Sequence, residues 1–148
     1  MSNTILLKGR GIRKERISAA AITPGYLVDF NAAGLVLKHA GAGLNASAAF
    51  AVEDELNGKA ITEAWASGDQ VVYEIMPSGS EVYALVAAAA AAIVIGDELE
   101  SAGDGTLRKL TVDVATDNTQ RIAVVARAIE AVDNSGGGTE ARLKVEIV

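Results

Sequence analysis

Cysteine is absent from this chain, histidine occurs once, and aromatic side chains make up only 4% of the residues. Without cysteine there is no disulfide framework, no thiolate metal site and no cysteine nucleophile. With His39 alone, an imidazole-built metal site and a histidine-centred triad both lack their parts. Ligand pockets are usually walled by aromatic and large apolar groups, and here Trp65, three tyrosines and two phenylalanines are scattered along the sequence. Long apolar runs are missing too. The stretch Tyr83 to Ile95 spans thirteen residues, six of them consecutive alanines. That is too short to cross a bilayer, so no membrane partner is expected. The start, MSNTILLKGRGIRKER, places Ile5 to Leu7 ahead of the charges and contains no signal-peptide core, so no secretion signal is expected.

What is present is small and aliphatic. Half of the residues are hydrophobic, chiefly Ala, Val, Ile and Leu. A chain of 148 residues reads as one domain with room for a core. Its charge is polarised. The first 16 residues hold Lys8, Arg10, Arg13, Lys14 and Arg16 against Glu15, a net of +4, which leaves −10 for the rest of a chain totalling −6. Gly9 and Gly11 interrupt any helix there, so residues 1–16 read as an extended basic arm that Ile5, Leu6 and Leu7 could anchor. Such an arm seeks an acidic surface. Three readings stand: phosphate neutralisation on nucleic acid, docking on an acidic protein, or a solvated terminus. The acidic body, and the lack of aromatics among the arm's charges for base stacking, argue against direct nucleic-acid binding.

From Ile17 the text consists of short apolar segments between Gly, Pro, Asn and Asp. Strands are expected over 26–30 and 35–38 as a hairpin, 48–53, 70–75 and 81–86 as a second hairpin, 97–99 and 106–107 as a third, 122–129, and 141–148, the last with period-2 alternation. This spacing predicts an all-β domain over 17–148, a barrel or sandwich built from hairpins. Ala87 to Ala92 leaves two readings, a short helix near 86–92 or a close-packed connection. An internal echo runs through the chain, with Ile22, Gly25, Gly34 and Val36 each 71 residues before Ile93, Gly96, Gly105 and Leu107. At a slightly longer offset, Ala49–Val52 meets Ala123–Ala126. The echo predicts two similar β units, 22–56 and 93–130, and Gly68-Asp69 repeats the turn theme between them.

Chemical motifs are sparse. Gly103-Asp104-Gly105 and Ser135–Gly138 lack the context of a phosphate loop. Asp97, Glu98, Glu100 and Asp104 do not match a calcium loop, and Glu53–Glu55 reads as a solvated or edge-protecting run. Paired carboxylates could serve glycoside hydrolysis, but a sugar-holding aromatic cleft is missing. No catalytic residue, metal ligand or cofactor is assigned, and the chain is not expected to be an enzyme. Trp65 reads as either a core plug or an interface anchor.

Three stretches, ITPGYLVDFNAAGLVLKHAGAG, ASGDQVVYEI, and LVAAAAAAIVIGDELESAGDGTL leading into AVVARAIEA, resemble the Gly- and Ala-rich, aromatic-poor texture of phage head decoration (cement) proteins. The resemblance implies a β-tulip-like virion protein on the outer surface of an expanded capsid, clamping adjacent capsomers as a homotrimer. Its partner would be the major capsid protein. By the same resemblance, Ile5, Leu6, Leu7, Lys8, Arg10, Arg13, Lys14 and Arg16 would form the docking arm. The alternative is another virion module, such as a head fibre base or a tail tube or spike component.

Overall fold

The computed structural model describes residues 2–111 and 123–148. Ile122, at the start of the expected strand 122–129, and residues 112–121 of the expected second unit lie outside the described residues. The described residues form eleven strands: β1 (Leu6–Lys8), β2 (Ile12–Ile17), β3 (Val28–Phe30), β4 (Val36–Lys38), β5 (Ala49–Ala51), β6 (Gln70–Ile75), β7 (Glu81–Val86), β8 (Glu98–Ser101), β9 (Leu107–Lys109), β10 (Ala126–Ala128) and β11 (Ala141–Ile147). One 3₁₀ turn, Glu55–Asn57, is capped by Asp54, whose side chain accepts from the Asn57 N–H. The described residues contain no α-helix. The fold is all-β.

Ala87–Ala92 is therefore not helical. Ala89 sits at φ 53°, which no right-handed helix allows. Its N–H donates to the Gly137 carbonyl, and Asn134 Nδ2 donates to the Ala87 carbonyl. The loop at 134–137 thus claims the backbone groups that a helix would have paired internally.

β7, β11, β10, β8 and β9 pair in that order, and β9 returns to β7 through the parallel Val86–Leu107 pair, closing a five-stranded barrel. The first half of the chain draws the same circuit with shorter ladders. β2 pairs with β6 and β6 with β5. Leu27, just before β3, bridges Phe50 of β5; β3 pairs with β4; and Val36 of β4 makes a parallel bridge to Ser18, just after β2. We call these unit 1 (β2–β6) and unit 2 (β7–β11). Several of their backbone bonds correspond. Ala19 N–H donates to Val36 as Ala87 does to Leu107, Gly25 to Ala51 as Gly96 to Ala128, and His39 to Leu27 as Leu110 to Glu98. The Ile22–Trp65 bridge likewise answers to Ile93–Val132. Gly25 and Gly96 head equivalent turns at φ 98° and 92°, a region open to glycine without cost. At the next position Asp97 accepts from the Val94 N–H and pairs with Lys109, and these two contacts, the first foremost, hold its carboxyl below the ordinary range. Unit 1 has Tyr26 there, with Lys38 Nζ 4.4 Å from the ring centroid.

The pairing departs from one expectation. β6 and β7 do not form a hairpin with each other. Pro77-Ser78-Gly79-Ser80 joins the two units instead, because β2 and β5 already flank β6 while β1 and β11 flank β7. The basic segment is extended as read from the sequence, but it is built into the body. β1 lies along β7, and β2 pairs over its whole length with β6.

The units share interior. One apolar cluster combines Val82, Leu99, Leu107, Leu143 and Val145 of unit 2 with Ile5, Leu27, Phe50, Val52 and Ile61. The other fills unit 1 with Ile22, Val28, Val36, Trp65, Val71 and Tyr73, and receives Leu85 from β7. Polar links cross the same seam. Tyr26 OH donates to Glu140 at 2.7 Å, Leu27 N–H to the Gly105 carbonyl at 2.7 Å, and Arg142 Nη2 to the Ile61 carbonyl at 2.7 Å.

Two outcomes follow from this seam. Leu107→Ala, which empties a fully buried site in unit 2, is expected to cost about 2–5 kcal/mol. The loss should register at Trp65 in unit 1, so tryptophan fluorescence and far-UV circular dichroism will give one coincident denaturation midpoint. Burial, then Glu140, raises the Tyr26 pKa above its ordinary 10.0. The folded state therefore keeps a proton that the unfolded state releases, so stability is full below pH 10 and falls as pH rises above it. Tyr26→Phe is expected to flatten that alkaline fall in pH-dependent melting.

Candidate functional site

The residues expected to form the arm have different surroundings. Ile5 is fully buried and its N–H donates to Glu53 Oε2 at 3.0 Å. Leu6 and Leu7 are half-buried. The aliphatic lead-in is therefore occupied by the protein's own core. Lys8 pairs with Glu81 at 3.0 Å. Trp65 is 6% exposed and its indole N–H donates to the Val52 carbonyl at 2.9 Å, so it is a core plug with little surface for a partner.

The remaining cations stand together on β2. All six of its residues are exposed, and Arg10 precedes it in the open. Register explains which way each side chain points. Lys14 lies opposite Tyr73 and Arg16 opposite Val71, so both share the face that β6 turns to the core. The equivalent positions of β7 hold Val82 and Ala84, opposite Val145 and Leu143, and are buried. Unit 1 thus has charge where unit 2 has aliphatic wall. Arg16 lies 4.6 Å above the Phe30 ring and donates to the Gly34 carbonyl at 3.2 Å. Phe30 in turn packs on Tyr73 at 5.5 Å between centroids. Phe30 and Ile12, which is 63% exposed, add apolar surface beside the cations.

Arg13 points to the other face. Its Nε meets Glu74 Oε1 at 3.0 Å and its Nη1 meets Glu55 Oε2 at 3.1 Å. Glu74 is buried, and its Oε2 has no hydrogen-bond partner. Arg13 is thus already committed, and Arg10, Lys14 and Arg16 form the available cationic face.

The acidic runs do not converge. Glu53 accepts from Ile5, Asp54 caps the 3₁₀ turn, and Glu55 meets Arg13. Asp97 pairs with Lys109, Glu100 with Arg108 at 2.8 Å, and Asp104 accepts from the Thr106 N–H and hydroxyl. Among the described residues no three His, Cys, Asp or Glu side chains are placed to hold a metal. His39 is buried. Its Nε2 lies 3.3 Å from the Asn45 carbonyl and its Nδ1 2.7 Å from the Ser101 hydroxyl, so both ring nitrogens have partners within the protein.

No protein-family model and no curated protein matches the chain. A solved structure does. The chain's fold is similar to that of the head fibre gp8.5 N base of bacteriophage phi29, with a TM-score of 0.58. The likeness covers 94% of this chain and 95% of that one, at 14% identity. At this identity it speaks for the fold.

The cations of β2 differ in what the fold loses with them. Arg13→Ala strands the buried Glu74 carboxylate and is expected to cost about 1–3 kcal/mol. Pairing it with Glu74→Leu should recover most of that loss. Lys14→Glu with Arg16→Glu, at exposed positions, is expected to shift stability by only about 0.5 kcal/mol per site. Chemical denaturation of the three variants checks the ranking.

Proposed function

We propose that this protein is a structural component of a phage virion, a decoration protein that binds the outside of the expanded head and stabilises it. The observation that carries the reading is the end-to-end likeness to a phage head fibre base. The cationic, partly apolar face of β2 on an acidic body supports it, because such a face complements an acidic protein surface and not another copy's acidic flank alone. In this reading the major capsid protein is the partner and the side chains of Arg10, Lys14, Arg16 and Ile12 make the contact. Three copies bind together, so several modest contacts add to firm attachment. Binding the assembled shell and not its free subunits stabilises the shell by mass action. The protein acts by contact and carries out no catalysis.

A second reading has its own support. The similar solved structure is a head fibre N base, and by this reading the chain seats a head fibre through the same face. Copy number separates the two: hundreds per particle suit a shell-covering cement, and about a dozen or fewer would overturn it in favour of a fibre base or tail part.

The direct test mixes the protein with expanded, undecorated heads and looks for added density by electron microscopy. Wild type is expected to bind, and Lys14→Glu/Arg16→Glu to lose binding while remaining folded. Wild-type attachment should weaken as salt rises beyond about 0.1 M, where the screening length falls to roughly 10 Å. Deleting residues 1–16 is no substitute, because it removes Ile5 from the core and β2 from its sheet.

A further inference from the structure

The duplication exposes an unmatched pair of surfaces. On β7, alternate backbone groups face away from β11, and all are occupied. Glu81 pairs with Lys8, Tyr83 N–H donates to Ile5, Leu85 N–H to the Gly25 carbonyl of unit 1, and Ala87 N–H to Leu107. The equivalent positions of β2 are Arg13, Glu15, Ile17 and Ala19. Ser18 N–H reaches Asp69 on the β6 side, so these odd-numbered residues face outward. Ala19 donates to Val36, as its counterpart does to Leu107. Beside Arg13, Glu15 and Ile17, no strand lies along this edge among the described residues. Ile17 is 45% exposed where its counterpart Leu85 is buried.

Among the described residues, the complementary surface is also uncovered. In unit 1 the Gly25 turn is covered by unit 2: Gly25, Tyr26, Leu27 and His39 are buried, with Leu85 and Gly105 against them. In unit 2 the matching Gly96 turn is open. Val94 is 55% exposed and Ile95 70%. A groove of about 450 Å³ beside it is lined by Gly96, Asp97, Glu98, Lys109, Leu110 and Arg127, with Lys109 paired to Asp97 and Arg127 opposite Glu98.

We propose that these two faces meet between copies of the chain. The Gly96 turn of one copy seats on the β2 edge of the next, the Ile17 N–H donates to the Gly96 carbonyl, and Val94 and Ile95 cover Ile17. This continues between chains the contact that already joins unit 1 to unit 2 within one. The contact is heterologous, so each copy offers one donor face and one acceptor face, and the series closes into a ring or runs on. Closure at three copies, a ring of six units, rests on the trimer of the reading above. Lys14 and Arg16 project from the sheet face and not its edge, so they stay available to a shell.

The test is sedimentation velocity on the full chain over a range of concentrations, with circular dichroism to confirm folding. Wild type is expected to assemble to the mass of three chains. Ile17→Asp alone and Ile95→Asp alone, both at exposed positions, are each expected to sediment as single chains. Mixed in equal amounts, the two variants should form a two-chain species and nothing larger, since each retains one competent face. A self-paired interface would give no such rescue. Wild type that stays monomeric at every concentration, or that assembles equally well with either substitution, overturns the proposal. A monomer that still decorates heads would sink this interface and leave the attachment reading standing.

Discussion

The seam between the two units is the contact on which the rest of the structure depends. A single five-stranded barrel with strands of three to seven residues encloses little apolar volume, and small domains bury too small a share of their surface to be robust. Here neither barrel stands alone. Leu27, Phe50, Val52 and Ile61 enter the unit 2 cluster, and Leu85 enters that of unit 1. Leu85 and Gly25 join the backbones, while Tyr26 with Glu140 and Arg142 with Ile61 satisfy the polar groups that the seam buries. The aromatic shortage is compatible with this because the few large rings are concentrated here: Phe50, Tyr26 and Tyr83 all lie at or near the junction.

Sharing a core also frees part of the surface. Once unit 2 supplies packing, unit 1 does not need an aliphatic β2. Its positions opposite Val71 and Tyr73 can carry Arg16 and Lys14, where unit 2 must keep Ala84 and Val82. One copy of the repeat thus serves stability, and the other keeps a charged, strand-shaped face. Charges along β2 also discourage indiscriminate edge pairing, which favours a partner of matched geometry over general aggregation.

Much of the fold was legible because turn chemistry is local. Gly25, Gly34, Gly96 and Gly105 all take positive φ, and the strands after them begin close to where these glycines imply. The 71-residue echo lay in the same glycines. Carrying it on with one more residue of offset, to Val71–Ile75 against Leu143–Ile147, would have brought in β6 and β11 and exposed the whole circuit. What the text hid was partner choice. IRKERI has no apolar alternation, so it resembles an arm, and only its pairing with β6 makes it a strand. The turn at Pro77–Ser80 looks like any hairpin turn, and competition for strand edges, a non-local matter, decides that it joins two units instead. The alanine run is compatible with helix until a distant asparagine, Asn134, takes its carbonyl. For the site, charge alone drew attention to the segment but could not say that Ile5 enters the core and Arg13 is held by Glu74 and Glu55 while Lys14 and Arg16 stand exposed.

Lysine footprinting on decorated heads is the most direct measurement of the central claim, that the open face of β2 is the attachment surface of a two-unit body. Acetylation would be compared between free and shell-bound protein at Lys14 and at Lys144 on β11. The account predicts that Lys14 becomes shielded on the shell while Lys144 labels as in solution. Equal labelling of Lys14 in both states, with Lys144 protected, would contradict it.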